Sequence, residues 1–309
     1  METAVLFIIF NRPDTTQLVF EEIRKAKPAK LFIAADGPRL NREGDVQKCS
    51  KTRKIVEQVD WPCEVKTLFQ PENLGCKRAV SSAIDWFFEH VEEGIILEDD
   101  CLPHPSFFSF CETLLEKYRT DERVMMISGD NFQNGVERGD GSYYFSRLSH
   151  IWGWATWKRA WQFYDVTMLS FPAFKQQNRI ADIFENKDIQ NYWINIFDKV
   201  YEDQIDTWDY QWTYAVMCQN GLSIMPNKNL ISNIGCGNAD ATHTIEINHH
   251  LANLKTEALN TLIHPTFVLA DKAADLYTLF SVIGVSKPRK TLRYRLKRLF
   301  GKKVKSHAL

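Results

Sequence analysis

Glu98, Asp99 and Asp100 stand in a row directly behind the apolar run Ile95-Ile96-Leu97. Three like charges so placed repel one another, so a positive group is expected beside them. Clustered carboxylates at the end of a strand suit a hard divalent cation, Mg²⁺ or Mn²⁺, held through oxygen. Such an ion keeps several waters and completes its shell with phosphate oxygens, which points to a nucleotide diphosphate as ligand. The plainer reading is an acidic turn, or an N-cap from Asp100 to the helix that begins in "PSFF". A second carboxylate of interest is Asp209 in "TWDYQW", between Trp208 and Tyr210 at the mouth of a helical stretch. It suits proton transfer or helix capping, and the two roles are compatible. Asp206 is the reserve for proton transfer.

The elements that must carry these groups alternate. "VLFIIF" (5–10) reads as a strand. A helix follows, with Asp14 as N-cap, Gln17 three residues on, and Leu18, Val19 and Ile23 on one face. "KLFIAADGP" (30–38) is a strand ending in a turn at Asp36-Gly37-Pro38, and "EVKTLFQ" (64–70) is a third strand. "AVSSAIDWFFEHVEE" (79–93) has Val80, Ala83, Ile84, Phe87, Phe88 and Val91 at helical spacing. "GIILEDD" is a fourth strand, and 105–119 a further helix. Strand–helix alternation implies a mostly parallel central sheet with flanking helices, an α/β fold. Ligands of such sheets bind beyond the carboxyl ends of the strands. Four strand ends therefore point at one crevice. They carry Asn11-Arg12, Asp36, Gln70 to Gly75 with Asn73, and Glu98 to Asp100.

The second half is less regular. A strand is expected at 123–129, helices at 189–203 and 210–219, a short strand at "LSIMP" and an ordered loop at 229–244. Trp152 and Trp154 in "SHIWGWATW" suit either a floor under a sugar or a core, with Gly153 permitting close backbone approach.

The chain has 309 residues, 44% of them apolar and 13% aromatic, which is ample for a core. Its seven cysteines are scattered singly without a CxxC pair, which argues for a reducing compartment and against a zinc ribbon or disulfide framework. "AVLFIIF" is too short to span a bilayer and follows Glu2 instead of a basic segment, so a buried strand is expected there and not a signal peptide. Residues 287–305 hold ten Lys or Arg and no acid; without them the formal charge of −1 becomes −11. Leu292, Tyr294, Leu296, Leu299 and Phe300 are interleaved, so an amphipathic helix on an anionic membrane is expected, with a solvated tail as the bland reading. The acidic remainder argues against nucleic acid as a partner.

"VLFIIFNRPD", "IAADGPR", "PENLGCKRAVSSAIDWFF" and "GIILEDDCLPHPSFFSF", in this order, resemble the nucleotide-sugar-binding half of a GT-A glycosyltransferase. The similarity is to the family of the N-acetylglucosaminyltransferase that initiates complex N-glycans and to its bacterial relatives. It covers residues 4–245 by motif order. The resemblance implies that Asp100, last of the acidic triplet, ligates the metal, and that Glu98 and Asp99 orient its waters or reach the donor ribose and sugar. It implies a nucleotide contact for Arg12, a base contact for Asp36, and places near the nucleotide for Lys77 and Arg78. Asp209 matches the general base, although the second acid of the family's Trp-Asp-Asp-Trp segment is replaced or shifted. His243, in "DATHT", is similar to a late histidine that reaches the diphosphate or metal in several GT-A enzymes, with a plain hydrogen-bonding role as its structural reading. A histidine that animal members carry near Lys77 is absent, which leaves base and sugar specificity open. Each residue also has a structural reading: Arg12 as partner of an acid, Asp36 as a turn residue, Asn73 as turn punctuation, Lys77 and Arg78 as a solvated helix start. His249 and His250 receive no role.

The resulting expectation is a metal-dependent, inverting glycosyltransferase that moves a sugar from a UDP-sugar, or another nucleotide-diphosphate sugar, to a glycan or glycolipid. It would be cytoplasmic and attached peripherally to the inner face of a membrane. Residues 1–122 would form the nucleotide-sugar half, 123–286 the acceptor half of the same domain, and 287–309 the basic tail. Two alternatives stand beside it. One is a silent nucleotide-sugar-binding module. The other is a sugar-nucleotide pyrophosphorylase, which would want a glycine-rich loop where "NRPDTTQ" has none.

Overall fold

The computed structural model describes residues 1–235 and 251–286. In chain order the first elements are β1 (Ala4–Ile9), α1 (Pro13–Ala26), β2 (Lys30–Ala35), α2 (Asp45–Arg53), β3 (Glu64–Phe69), α3 (Gly75–Phe88), β4 (Glu93–Glu98), β5 (Cys101–Pro103) and α4 (Pro105–Lys117). Then come β6 (Val124–Ser128), β7 (Tyr143–Ser146), β8 (Trp154–Trp157), the short helices α5 (Lys158–Trp161), α6 (Phe171–Gln176) and α7 (Ile180–Ile183), and α8 (Lys187–Tyr201). The last are α9 (Asp209–Cys218), β9 (Leu222–Pro226), β10 (Ile231–Asn233) and α10 (Lys272–Tyr277).

The fold is α/β, as expected: one eight-stranded sheet in the order β3-β2-β1-β4-β8-β6-β9-β7, flanked by helices. The strands β3, β2, β1 and β4 are mutually parallel. β8 is inserted antiparallel between β4 and β6, and β7 runs antiparallel to β9 at the edge. β6 and β9 pair in parallel, so the sheet is mixed but mostly one-directional.

The continuous apolar runs follow from burial of both faces. Successive side chains of β1 point to opposite sides. Val5, Phe7 and Ile9 pack in one layer with α1 and α4, while Ala4, Leu6 and Ile8 pack in the other with α3 and α9. A third cluster, with Phe171, Trp193, Phe197 and Tyr214, joins α6, α8 and α9 outside the sheet.

Several local expectations are corrected. Asp14 lies inside the first turn of α1; Arg12 precedes the helix and Pro13 opens it, its missing N–H being one the helix start would leave unpaired anyway. Leu18 is exposed, and Phe20 joins Val19 and Ile23 in the core instead. The helix expected from residue 79 starts at Gly75, whose φ of +77° is the left-handed conformation that favours glycine. The cap of α4 is His104, whose Nδ1 accepts from Ser106 N at 3.1 Å, so Asp100 is left for other contacts. α2 is an additional helix of weak apolar periodicity, and Arg39 and Asn11 hold its first residue, Asp45, through polar contacts. The loop expected at 229–244 contains β10, which pairs with β5 and sets Asn233 opposite Cys101. Its remainder, with His243, and also His249, His250 and the tail 287–309, lies outside the described residues. Among the described residues no helix is long and apolar enough to cross a membrane.

Candidate active site

The register of the parallel strands brings the rim together. Ile8 lies beside Glu98 and Ile9 beside Ala35, so the segments after β1, β2 and β4 emerge side by side. Arg12 follows β1 by three residues and turns onto the acids. Its Nη1 donates to Asp100 Oδ2 at 2.6 Å and reaches Asp99 Oδ1 at 3.4 Å. Phe10 N donates to Asp99 Oδ2 at 3.0 Å. The positive group that the triplet demands is therefore present within the chain. Burial opposes the Arg12 charge, but Asp99 and Asp100 outweigh it and hold the guanidinium firmly protonated. Glu98 is pushed up to about 8, first by desolvation and then by the charges of Asp100 and Asp99. Asp99 is raised to about 6 by burial, against the attraction of Arg12. Such opposed environments within one cleft are a frequent mark of functional sites.

A cavity of about 300 Å³ opens at this rim. Arg12, Asp36, Asn73, Glu98 and Asp99 line it, together with Arg39, Gly75, Cys76 and Asp206. Its size lies at the lower end of the range for small-molecule sites. Asp36 is buried, and burial raises its carboxyl despite hydrogen bonds from Leu74 and Gly37. Its Oδ1 accepts from Gly37 N and Leu74 N, both at 2.8 Å, and its Oδ2 from Asn73 Nδ2 at 2.8 Å. With the Gly75 backbone N–H, which also favours its charged form, the carboxylate is amply satisfied within the chain. Asn73 thus acts by orienting Asp36 as well as by lining the wall.

The other expected residues are distributed around the mouth. Lys77 is turned to Asp203, and Arg78 is exposed on α3. Asp206 accepts from Cys76 N and Lys77 N, each at 3.2 Å, and so caps α3 from a site 130 residues away. Asp209 opens α9, accepts the Thr207 hydroxyl, and contributes to the field at Glu98 and Cys76. Its helix is seated by a tryptophan cluster: Trp154 stacks on Trp208 at 5.6 Å, and Trp212 lies 5.2 Å from Trp161. Trp154 is 0% exposed and belongs to the core, whereas Trp152 is half-buried at the rim. Of the two readings for this pair, Trp154 takes the structural one.

The expectations omitted Arg39. Its Nε donates to Asp45 Oδ2 at 2.7 Å and its Nη2 to Asp45 Oδ1 at 3.0 Å, while Asn11 Nδ2 donates to Asp45 at 2.6 Å. The guanidinium lies 5.0 Å from the centre of the Phe10 ring. The signal in the sequence was a basic residue directly after the turn "DGP"; its partner in α2 could not be read from spacing.

Arg12 takes Asp100 Oδ2, and the Cys101 thiol lies 3.5 Å from Oδ1. Among the described residues no three His, Cys, Asp or Glu side chains converge on a common point suited to a metal. As arranged, these side chains do not form a ready cation cage, because an arginine already compensates the acids.

No protein-family model matches the chain, and no curated protein matches its sequence. Solved structures share part of it. A UDP-glucose pyrophosphorylase complexed with UDP-glucose aligns with 53% of this chain and 79% of its own, at 15% identity and a TM-score of 0.33. TarS 1–349 of S. aureus aligns with 54% of this chain and 45% of its own, at 10% identity and a TM-score of 0.31. HddC from Yersinia pseudotuberculosis aligns with 51% of this chain and 77% of its own, at 10% identity and a TM-score of 0.30. Each is a partial likeness, over about half of this chain.

Proposed function

We propose that the protein binds a nucleotide-diphosphate sugar, UDP-sugars first, and transfers the sugar with inversion to a hydroxyl of a glycan or glycolipid. The observation that carries this reading is the convergence of Arg12, Asp36, Glu98 and Asp99 on one cavity beyond the ends of parallel strands. In this reading the base lodges against Asp36 and Asn73, and Arg12 and Arg39 face the negative diphosphate. Asp209 takes the proton from the acceptor hydroxyl. The oxygen's freed pair forms the bond to the anomeric carbon. The anomeric C–O bond to the diphosphate breaks, and its electron pair leaves with the nucleotide, whose charge the guanidinium groups offset. Mn²⁺ or Mg²⁺ would bind Asp100 only with Arg12 turned to another acceptor; the chemistry such an ion supplies when bound is neutralisation of the leaving diphosphate. The basic tail would hold the enzyme on an anionic membrane near lipid-linked acceptors.

A panel of nucleotides and nucleotide sugars, scored by thermal shift with Mn²⁺ and with EDTA, tests the binding. A ligand of the native state raises the melting temperature. Release of UDP with acceptor extracts tests the transfer. Asp209→Asn is expected to lose at least a hundredfold in turnover while keeping the nucleotide shift. Binding without turnover in any extract would favour the silent module, and nucleotide-dependent pyrophosphate exchange the pyrophosphorylase. Equal liposome co-sedimentation of the full chain and of residues 1–286 would remove the membrane role.

A further inference from the structure

The rim continues past the cavity. β6 runs in the same direction as β4, with the antiparallel β8 between them. Trp154 pairs with both Ile96 and Ser128, so the start of β8 and the ends of β4 and β6 meet at one edge. Two segments leave that edge together, 129–132 and 149–153. Gly129 N donates to Gly153 O at 2.8 Å, and Trp152 N to Asp130 Oδ2 at 3.1 Å.

These two segments hold a concentration of unanswered polar atoms. Asp130 is 1% exposed and His150 9% exposed. Asp130 Oδ1, both ring nitrogens of His150 and Ser149 Oγ are buried without a hydrogen-bond partner, which is four of the eleven such atoms among the described residues. Buried polar groups are almost always satisfied, so a local cluster of unsatisfied ones asks for a missing partner. The His150 ring lies against Phe132 at 4.6 Å, and Trp152 meets Phe132 edge-on at 5.5 Å. Asp130 adds to the field that raises the Cys101 thiol, next to Asp100, although neither Asp130 nor His150 lines the cavity at the triplet.

We infer that Asp130 and His150, with the Phe132 and Trp152 rings, form a subsite that reads the hydroxyl groups of a neutral sugar on the bound nucleotide. This rests on the proposed nucleotide-sugar reading and deepens it. Burial drives Asp130 well above the usual carboxylate range and lowers His150 to about 4, so it works against the charged form of each. An uncharged acid and an uncharged imidazole each offer one donor and one acceptor, which suits hydroxyls. Neither offers a charge to pair with a uronic carboxylate or an amino sugar. Aromatic rings beside them supply the apolar faces that sugar C–H groups pack on.

Calorimetric titration of the full chain with UDP, UDP-glucose, UDP-galactose, UDP-N-acetylglucosamine and UDP-glucuronate tests this, with GDP and GDP-mannose as a second base. The wild type is expected to favour at least one neutral nucleotide sugar over UDP-glucuronate by tenfold or more. His150→Phe removes two unanswered nitrogens and keeps a ring against Phe132, so it should fold with an equal or higher melting temperature. It should bind the free nucleoside diphosphate within twofold of wild type, yet raise the ratio of nucleotide-sugar to nucleotide Kd at least tenfold. Asp130→Leu should raise the same ratio, whereas Asp130→Asn, which keeps a donor and an acceptor, should leave it near the wild-type value. An unchanged ratio in the His150→Phe protein overturns the inference, and a buried water is then what these atoms hold. Binding of a nucleotide with no discrimination among its sugars overturns it too, while leaving the nucleotide site standing. Binding of none of these ligands instead overturns the underlying nucleotide-sugar reading.

Discussion

At the scale of single residues, Arg12 decides what the acidic triplet is. Three carboxylates with no cation would be held apart or protonated. Arg12 lies 2.6 Å from Asp100 and is itself only 18% exposed, so the pair is largely shielded. Removing one partner of such a pair leaves an uncompensated charge and costs about 3–5 kcal/mol. Arg12→Met should therefore lower stability at pH 7 by roughly that amount. The acids would then bind protons more tightly in the folded than in the unfolded state, so falling pH favours the folded variant. The gap to wild type should narrow between pH 7 and pH 5 in urea unfolding; a constant gap would mean that Arg12 matters only through packing. Asp45 shows the opposite sign. Its bond to Arg39, against some desolvation, lowers it to about 2. A depressed carboxyl stabilises above its unfolded pKa and loses that contribution as pH falls through the folded value. The shift corresponds to about 2 kcal/mol. Asp45→Asn should cost about that at pH 7, with the difference to wild type closing between pH 4 and pH 2 in denaturant titrations.

At the scale of elements, Asp206 in the loop before α9 and Asp209 at the start of that helix divide the labour. Asp206 accepts two backbone N–H groups of α3, and Asp209 opens its own helix beside the cavity. Asp206→Ala should cost about 1 kcal/mol, the usual value of a lost cap, while Asp206→Asn keeps most of it. Turnover should survive Asp206→Asn and collapse in Asp209→Asn. The reverse order in a donor-consumption assay would exchange their roles. The parallel strands β1, β2 and β4 and the periodic helix α3 were legible because burial on two faces, or on one stripe, writes itself into local residue order. The start of α3 was not. Gly75, Cys76, Lys77 and Arg78 carry no apolar period, and the amides of Cys76 and Lys77 are satisfied by Asp206, 130 and 129 positions downstream. Likewise, no local pattern tells that Trp154 is core and Trp152 is rim, since both flank the same glycine.

At the scale of the whole molecule, one sheet runs through both halves. β8, from the second half, is the strand that pairs with β4, and Trp154, Trp208 and Trp212 share a core with Phe32 and Phe87. Residues 1–122 alone would present the open edge of β4 and an uncovered apolar face, a condition that invites aggregation. That fragment is expected to be insoluble or to lack fixed near-ultraviolet circular dichroism. A soluble, well-packed monomer would show that the first half folds independently of the second.

Much of the site was legible as composition at one edge: the order of strands and helices placed Arg12, Asp36, Asn73 and Glu98 to Asp100 beyond the same strand ends. That much follows from the sequence by itself, because strand alternation and apolar periodicity are set by neighbours a few residues apart. Which group answers which charge was decided only by the tertiary structure. Arg12 against Asp100, Asp45 against Arg39, Asp206 on α3 and Asp130 against the Trp152 amide are contacts of chain segments brought together by the fold. Electrostatic and hydrogen-bond energies depend on distances of a few ångströms, and such distances between remote segments exist only once the sheet has formed.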